Sequence, residues 1–288
     1  MNIVLFGEDI FTATVLQSLV EDEQIIVHAV ICPVYPNNFG YRVLKNAAAR
    51  YKTPFFHKTD INDSETEELL SQIKPDFIIS VHLRKILTKR IYSLAGYALN
   101  LHPSILPKYR GLSPQHQCLI NGDAETGVTI HLIEETIDTG DIVIQEKIAL
   151  TKEMYVFDLH VKMLEVYKYI TRDAIYLLKS KNFKPVKQSN LSSSWYGSLK
   201  KDDRRIDLKK TKFDVYNLIR AVSKPYKGAF YDNIIIWRAY VPDADKEKFL
   251  LNKYSGNGIY IIGDEENEVL IRLADGVLLS DDFEDTNQ

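Results

Sequence analysis

What this chain lacks narrows its function early. Only two cysteines occur in 288 residues, Cys32 and Cys118. They are too few for a disulfide framework and lack metal-ligand spacing, which points to a reducing compartment. No stretch offers the ~18 uncharged apolar residues that a membrane-spanning helix needs. The opening MNIVLFGEDIF has neither a basic start nor enough apolar length for an export signal. An excess of positive charge is also missing: 36 Lys and Arg against 39 Asp and Glu leave a net charge of -3, which exerts no long-range pull on polyanions. A cytoplasmic protein with neither a membrane nor a nucleic-acid partner is the expectation.

Several catalytic signatures are absent as well. No Gly-x-Gly-x-x-Gly follows the first apolar run and no Walker A loop occurs, so a dinucleotide or ATP is not implied. No Gly-x-Ser-x-Gly occurs, so a covalent acyl-enzyme is not suggested. His82, His102, His116 and His131 are not paired at helical spacing with a carboxylate, and no metal site is expected.

What is present is alternation. Residues 3–6 form a short β-branched and aromatic run stopped by Gly7, and Ile10, Val15, Leu16 and Leu19 follow at helical spacing. The pattern repeats as strand 25–32, helix 41–51, strand 53–56, helix 64–73 and strand 76–81. A helix over 83–94 and a strand over 97–101 come next. Such alternation predicts an α/β fold, a Rossmann-like and mostly parallel sheet with helices on both faces, whose ligands sit beyond the carboxyl ends of the strands. A helix over 113–120, strands over 127–133 and 142–148 and a long helix over 155–178 complete a domain of residues 1–185. Apolar periodicity then vanishes, giving a linker over 186–205. Residues 206–288 read as a smaller, mostly β (OB-like) domain: a helix over 213–222, strands over 234–240, 258–262 and 269–273, and a polar tail over 281–288 that frays.

The chemistry-bearing residues cluster at one strand end. Asn100 and His102, two apart, share a face of the strand over 97–101. An amide can stabilise negative charge on a carbonyl oxygen, and an imidazole can do that or collect a proton. Taken singly, each is also an ordinary turn residue. Asp138 lies in Ile-Asp-Thr-Gly-Asp, which is equally a polar turn between strands, with Asp141 as the competing carboxylate. If Asp138 approaches His102, its charge favours the imidazolium and raises that pKa above ~6.5.

These pieces together resemble the family of formyltransferases that use 10-formyltetrahydrofolate. Asn100, His102 and Asp138 match that family's catalytic Asn, His and Asp, with Leu106-Pro-Lys-Tyr-Arg-Gly111 and Gly127-Val-Thr-Ile-His131 in order between them. Arg205-Ile-Asp-Leu208 and the segment from Leu218 to Phe230 resemble the second domain of its longer members. Among these, the chain is most similar to enzymes that formylate the amino group of a nucleotide-linked sugar, in lipid A and O-antigen pathways. The resemblance implies a folate donor along Leu83, Arg84 and Ile86, with Glu134, Glu135 and Ile137 touching the pterin. It leaves Lys85 as a departure from an apolar position. Lys108, Tyr109 and Arg110 would reach the diphosphate of a dTDP- or UDP-linked aminosugar, unless 107–111 is only a rigid exposed loop. His131 would support the site, by packing or chemistry. A homodimer is implied too. The alternative, a methionyl-tRNA formyltransferase, carries a basic insertion after the second strand; here residues 33–41 contain no cation, and Lys200 to Lys212 is diluted by three Asp.

Overall fold

The computed structural model describes residues 1–35, 40–263 and 267–286. Along the chain run β1 (Asn2–Gly7), α1 (Ile10–Val20), β2 (Ile26–Pro33), α2 (Tyr41–Arg50), β3 (Phe55–Lys58), α3 (Ser64–Ile73), β4 (Phe77–Val81), α4 (Lys89–Tyr92) and β5 (Tyr97–His102). Then come β6 (Arg110–Gly111), α5 (Pro114–Ile120), β7 (Glu125–Leu132), β8 (Ile142–Ala149), α6 (Val156–Lys179) and β9 (Trp195–Tyr196). After a 3₁₀ turn at Asp202–Arg204 follow α7 (Lys212–Val222), β10 (Ala229–Tyr231), β11 (Ile234–Ile236), α8 (Ala244–Lys253), β12 (Gly258–Ile262), β13 (Glu268–Leu273), β14 (Gly276–Ser280) and β15 (Phe283–Asp285).

Seven strands make one sheet in the order β3-β2-β1-β4-β5-β7-β8. Its first four pairings are parallel, and β5 meets β7 antiparallel. Ile3 and Leu5 point to one face of β1, Val4 and Phe6 to the other, and all four are fully buried. Both faces are therefore covered, which is why these strands read as continuous apolar runs. Val4, Phe6, Ala29, Ile31 and Ile78 share one core with Ile61 and Leu70. Side-chain caps fix the helix starts: Asp9 accepts from the Phe11 and Thr12 amides, and Asp63 from Thr66.

Two compact units result, residues 1–112, 127–148 and 162–195 in the first, and 113–126, 149–161 and 196–288 in the second. They interleave along the chain, whereas the sequence divides linearly at 186–205. The second unit carries two three-stranded sheets, β10-β11-β15 and β12-β13-β14, all antiparallel. Within it, the buried Arg220 donates to the carbonyls of Leu119, Thr151 and Met154, which joins its three chain segments.

Four expectations change. Residues 83–88 are not helical, and only Lys89–Tyr92 is. The apolar spacing there is real but serves two purposes, since Leu87 and Ile91 enter the core while Leu83 and Ile86 face a cleft. The strand over 234–240 stops at Ile236, and α8 and β14 went unread. The tail does not fray through 283–285, because β15 pairs with β11. The polar stretch 186–195 is also no free linker: Val186 exchanges both backbone hydrogen bonds with Ile142, and Trp195 lies in β9 against β6.

Candidate active site

Strand register assembles the site. Asn100 on β5 stands opposite His131 on β7, and His102 opposite Thr129. On the other side Asn100 is beside Ser80 of β4. A turn between β7 and β8 then brings back Asp138, whose φ of 53° is left-handed, a conformation Asp tolerates better than most residues. Gly140 lets this turn close: a Cβ there would stand 1.8 Å from the Leu132 carbonyl oxygen.

Asp138 is the hub. Its Oδ1 accepts from Asn100 Nδ2 at 3.3 Å and lies 3.4 Å from His131 Nε2. Its Oδ2 accepts from the Gly111 amide at 2.8 Å and lies 3.4 Å from His102 Nδ1. His102 Nε2 is 2.7 Å from the Tyr109 carbonyl, which can only accept, so that nitrogen carries the proton and Nδ1 is the basic atom. The same reasoning at His131 puts the proton on Nδ1, which donates to the Leu132 carbonyl, and leaves Nε2 to accept from Asn100 Nδ2 at 3.1 Å.

Burial pushes the His102 pKa down, against the pull of Asp138. That corrects the upward shift expected from the carboxylate alone: the ring is 4% exposed, and desolvation of an imidazolium outweighs the attraction. Burial would raise Asp138, but His102, His131 and the Gly111 amide hold it well below the usual carboxylate range. The resting pair is thus a neutral imidazole beside a carboxylate.

A cleft of about 510 Å³, its open mouth included, lies at the carboxyl ends of β4 and β5. Asn100, His131 and Asp138 line it with Ser80, Leu83, Ile86, Leu87, Ile133 and residues 134–137. Of the residues expected at the folate, Leu83, Ile86, Glu134, Glu135 and Ile137 line this wall, as does Lys85. Arg84 does not; its guanidinium makes a two-pronged pair with buried Glu8 at 2.8 and 3.0 Å and lies over the Tyr35 ring. His102 stands behind Asp138, outside the lining. Lys108 is exposed, Tyr109 is buried, and neither lines the cleft. Arg110 is 3% exposed, and its fork is taken up by Gln188 and Asn190. Ser80 and Leu87 were missed, since nothing in an apolar strand or loop marks them. Among the described residues no group of three or more His, Cys, Asp or Glu could hold a metal, and no helix is long and apolar enough to cross a membrane.

Comparison with known proteins shows the family. Residues 1–175 match the family described as Formyl transferase, and 198–286 match Formyl transferase, C-terminal domain. The chain is 32% identical over 281 residues to the methionyl-tRNA formyltransferase of Thermotoga maritima, covering 94% of this chain and 90% of that one. It is 34% identical over 203 residues to the bifunctional polymyxin resistance protein ArnA of Wigglesworthia glossinidia brevipalpis, covering 69% of this chain but 31% of that protein. Among solved structures, an N-formyltransferase from Helicobacter canadensis, in complex with folinic acid and dTDP-3-aminofucose, superposes with a TM-score of 0.72 at 22% identity, over 98% and 99% of the two chains.

Proposed function

Because this chain belongs to the formyl transferase family, we propose that it moves a formyl group from 10-formyltetrahydrofolate to the amino group of a dTDP- or UDP-linked aminodeoxysugar. The observation that carries the chemistry is the Asp138 hub, which gathers an amide and two imidazoles at 3.3 to 3.4 Å at a cleft wall. Leu83, Ile86, Ile133 and Ile137 offer apolar faces for a flat pterin, and backbone at 134–137 offers its hydrogen bonds. Bound there, the folate supplies an activated formyl carbon.

The residues then divide the work. Asn100 Nδ2 turns from Asp138, its longer contact, to the formyl oxygen as negative charge develops there. The sugar amine forms the new C–N bond and gives up one proton, the bond to the folate N10 breaks, and N10 leaves carrying that same proton, handed back to it by the base on which it rested. Asp138 meets the amine first but is a weak base at its depressed pKa. The amine's proton therefore passes it and rests on His102 Nδ1, where the carboxylate balances the imidazolium. Lys108, exposed in the 107–111 segment, offers a cation to the diphosphate.

Sequence identity to the Thermotoga enzyme favours a second reading, in which the acceptor is methionyl-tRNA. Charge argues for the sugar: the chain carries a net -3, and the segment 33–41 has no cation. Residues 36–39 of that segment lie outside the described residues. The same reading proposes a cytoplasmic homodimer that serves surface-polysaccharide synthesis. Incubation with formyltetrahydrofolate and a panel of nucleotide-linked aminosugars should add one formyl mass to at least one of them; a panel that stays unchanged refutes the proposal.

A further inference from the structure

Gln188 lies in the polar stretch between the long helix α6 and β9, yet its amide is saturated with partners at the site. Nε2 donates to the carbonyl of Asp138 at 2.9 Å and to that of Gly140 at 2.7 Å. Oε1 accepts from Arg110 Nε at 3.2 Å and from Nη2 at 2.7 Å. Two donors and two acceptor sites are all an amide possesses. Its orientation is forced, since a flipped amide would set N–H against guanidinium and oxygen against two carbonyls.

The far end of this strut is fixed in turn. Arg110 is buried and is held by Asn190 Oδ1 at 3.3 Å and by the Trp195 ring at 5.5 Å. The backbone around Gln188 is tied down on both sides, by Val186 to Ile142 and by Ser194 to Pro107, Tyr109 and Arg110. What the strut holds is the left-handed turn that aims Asp138. Asp tolerates this conformation, and partners on its carbonyls fix which way the side chain is aimed. The Asp138 side chain cannot secure the turn as well as work: during transfer Asn100 leaves it and His102 gains a proton.

We propose that Gln188 is a positioning residue for Asp138: braced on Arg110, it holds the 138–140 turn so that the carboxylate keeps its register with Asn100, His102 Nδ1 and His131. This rests on the formyl-transfer reading of the site. It assigns Arg110 a bracing role, acting through Gln188 and not on substrate.

Gln188→Glu separates the two ends of the strut. A carboxylate of the same length keeps, and strengthens, the contact with Arg110, but it presents oxygen to the two turn carbonyls. The expected result is a folded protein whose kcat for formyl transfer falls roughly 10- to 100-fold, with KM for both substrates near wild type. Nitrogen NMR of the histidine rings, recorded without substrate, should show displaced His102 and His131 signals. Gln188→Asn carries the same amide on a side chain one carbon shorter; it should lose kcat likewise, and it takes over the test if Q188E does not fold. Unchanged kcat and unchanged ring signals in a folded variant, with or without a lower Tm, would overturn the proposal. The ring signals are read without an acceptor. A wild-type enzyme that formylates no aminosugar therefore defeats the functional reading, while displaced or unmoved rings still decide the role of Gln188.

Discussion

Asp138 Oδ2 lies 3.4 Å from His102 Nδ1, while the other nitrogen of that ring is committed to the Tyr109 carbonyl at 2.7 Å. The ring is therefore held in one tautomer with its basic atom against a carboxylate, and Asp138 stands between that atom and the cleft. Function and pH response both follow from this pair.

Burial puts the His102 pKa below its ordinary 6.5, so the base is neutral at pH 7 and stays so on mild acidification. The acid limb of kcat should therefore fall below pH 6.5, and a limb centred above pH 7 would contradict the neutral base. Stability carries the same sign. Both folded-state values are lower than the unfolded ones of 6.5 and 3.8, so the unfolded chain binds more protons in those windows. The stabilisation is present above each unfolded pKa and is lost as pH falls through the folded one. Urea midpoints should drop as pH falls below 6.5 and drop again below 3.8, and His102→Gln should flatten the first fall.

Loss of the individual groups should be costly and unequal. Asn100→Ala removes an oxyanion donor, for which roughly 100- to 1000-fold in kcat is expected. His102→Ala removes the proton's resting place, and Asp138→Asn both the balancing charge and the hub. Steady-state kinetics on the folded variants checks this, and near wild-type kcat in any of the three contradicts its assigned role.

The cleft wall offers a test of donor binding apart from chemistry. Ile86 is 61% exposed yet lines the cleft, so Ile86→Asp should fold normally. It should raise KM for the folate about tenfold or more, the value of roughly 1.4 kcal/mol of lost apolar contact, with kcat changed less. An unaltered KM would place the pterin elsewhere.

Gly140 tests the turn itself. A methyl there would stand 1.8 Å from the Leu132 carbonyl oxygen, so Gly140→Ala must displace backbone next to Asp138. We expect about 1–3 kcal/mol of lost stability by chemical denaturation, together with a fall in kcat. A variant that keeps both would mean that the turn tolerates movement.

The sheet and the site differed in how openly the sequence displayed them. Residues 3–6 of β1, 29–32 of β2 and 77–79 of β4 are buried on both faces, so their apolar runs are unbroken, and α3 begins at an Asp63 cap that the sequence displays. Asn100 and His102 were readable because period two places them on one face of β5. The 83–88 loop deceived because the apolar spacing of a cleft wall next to a core imitates a helix. Gln188, Asn190 and Ser194 went unread for the opposite reason: polar residues that bond a buried Arg110 and the Asp138 turn look, without the fold, like solvated linker. α8 hid because Leu250 is its one buried apolar anchor, while Phe249 is exposed.

The acceptor decides the function, and one comparison separates the two candidates: kcat/KM for formyl transfer to the best dTDP- or UDP-linked aminosugar against that for initiator methionyl-tRNA, at the same salt concentration with formyltetrahydrofolate as donor. An acidic chain without a cationic segment at 33–41 should prefer the sugar by at least about 100-fold, a difference of roughly 2.7 kcal/mol in transition-state binding. A higher value for the tRNA, weakening steeply as salt is raised, would contradict the sugar assignment and leave the Asp138 hub serving a different amine.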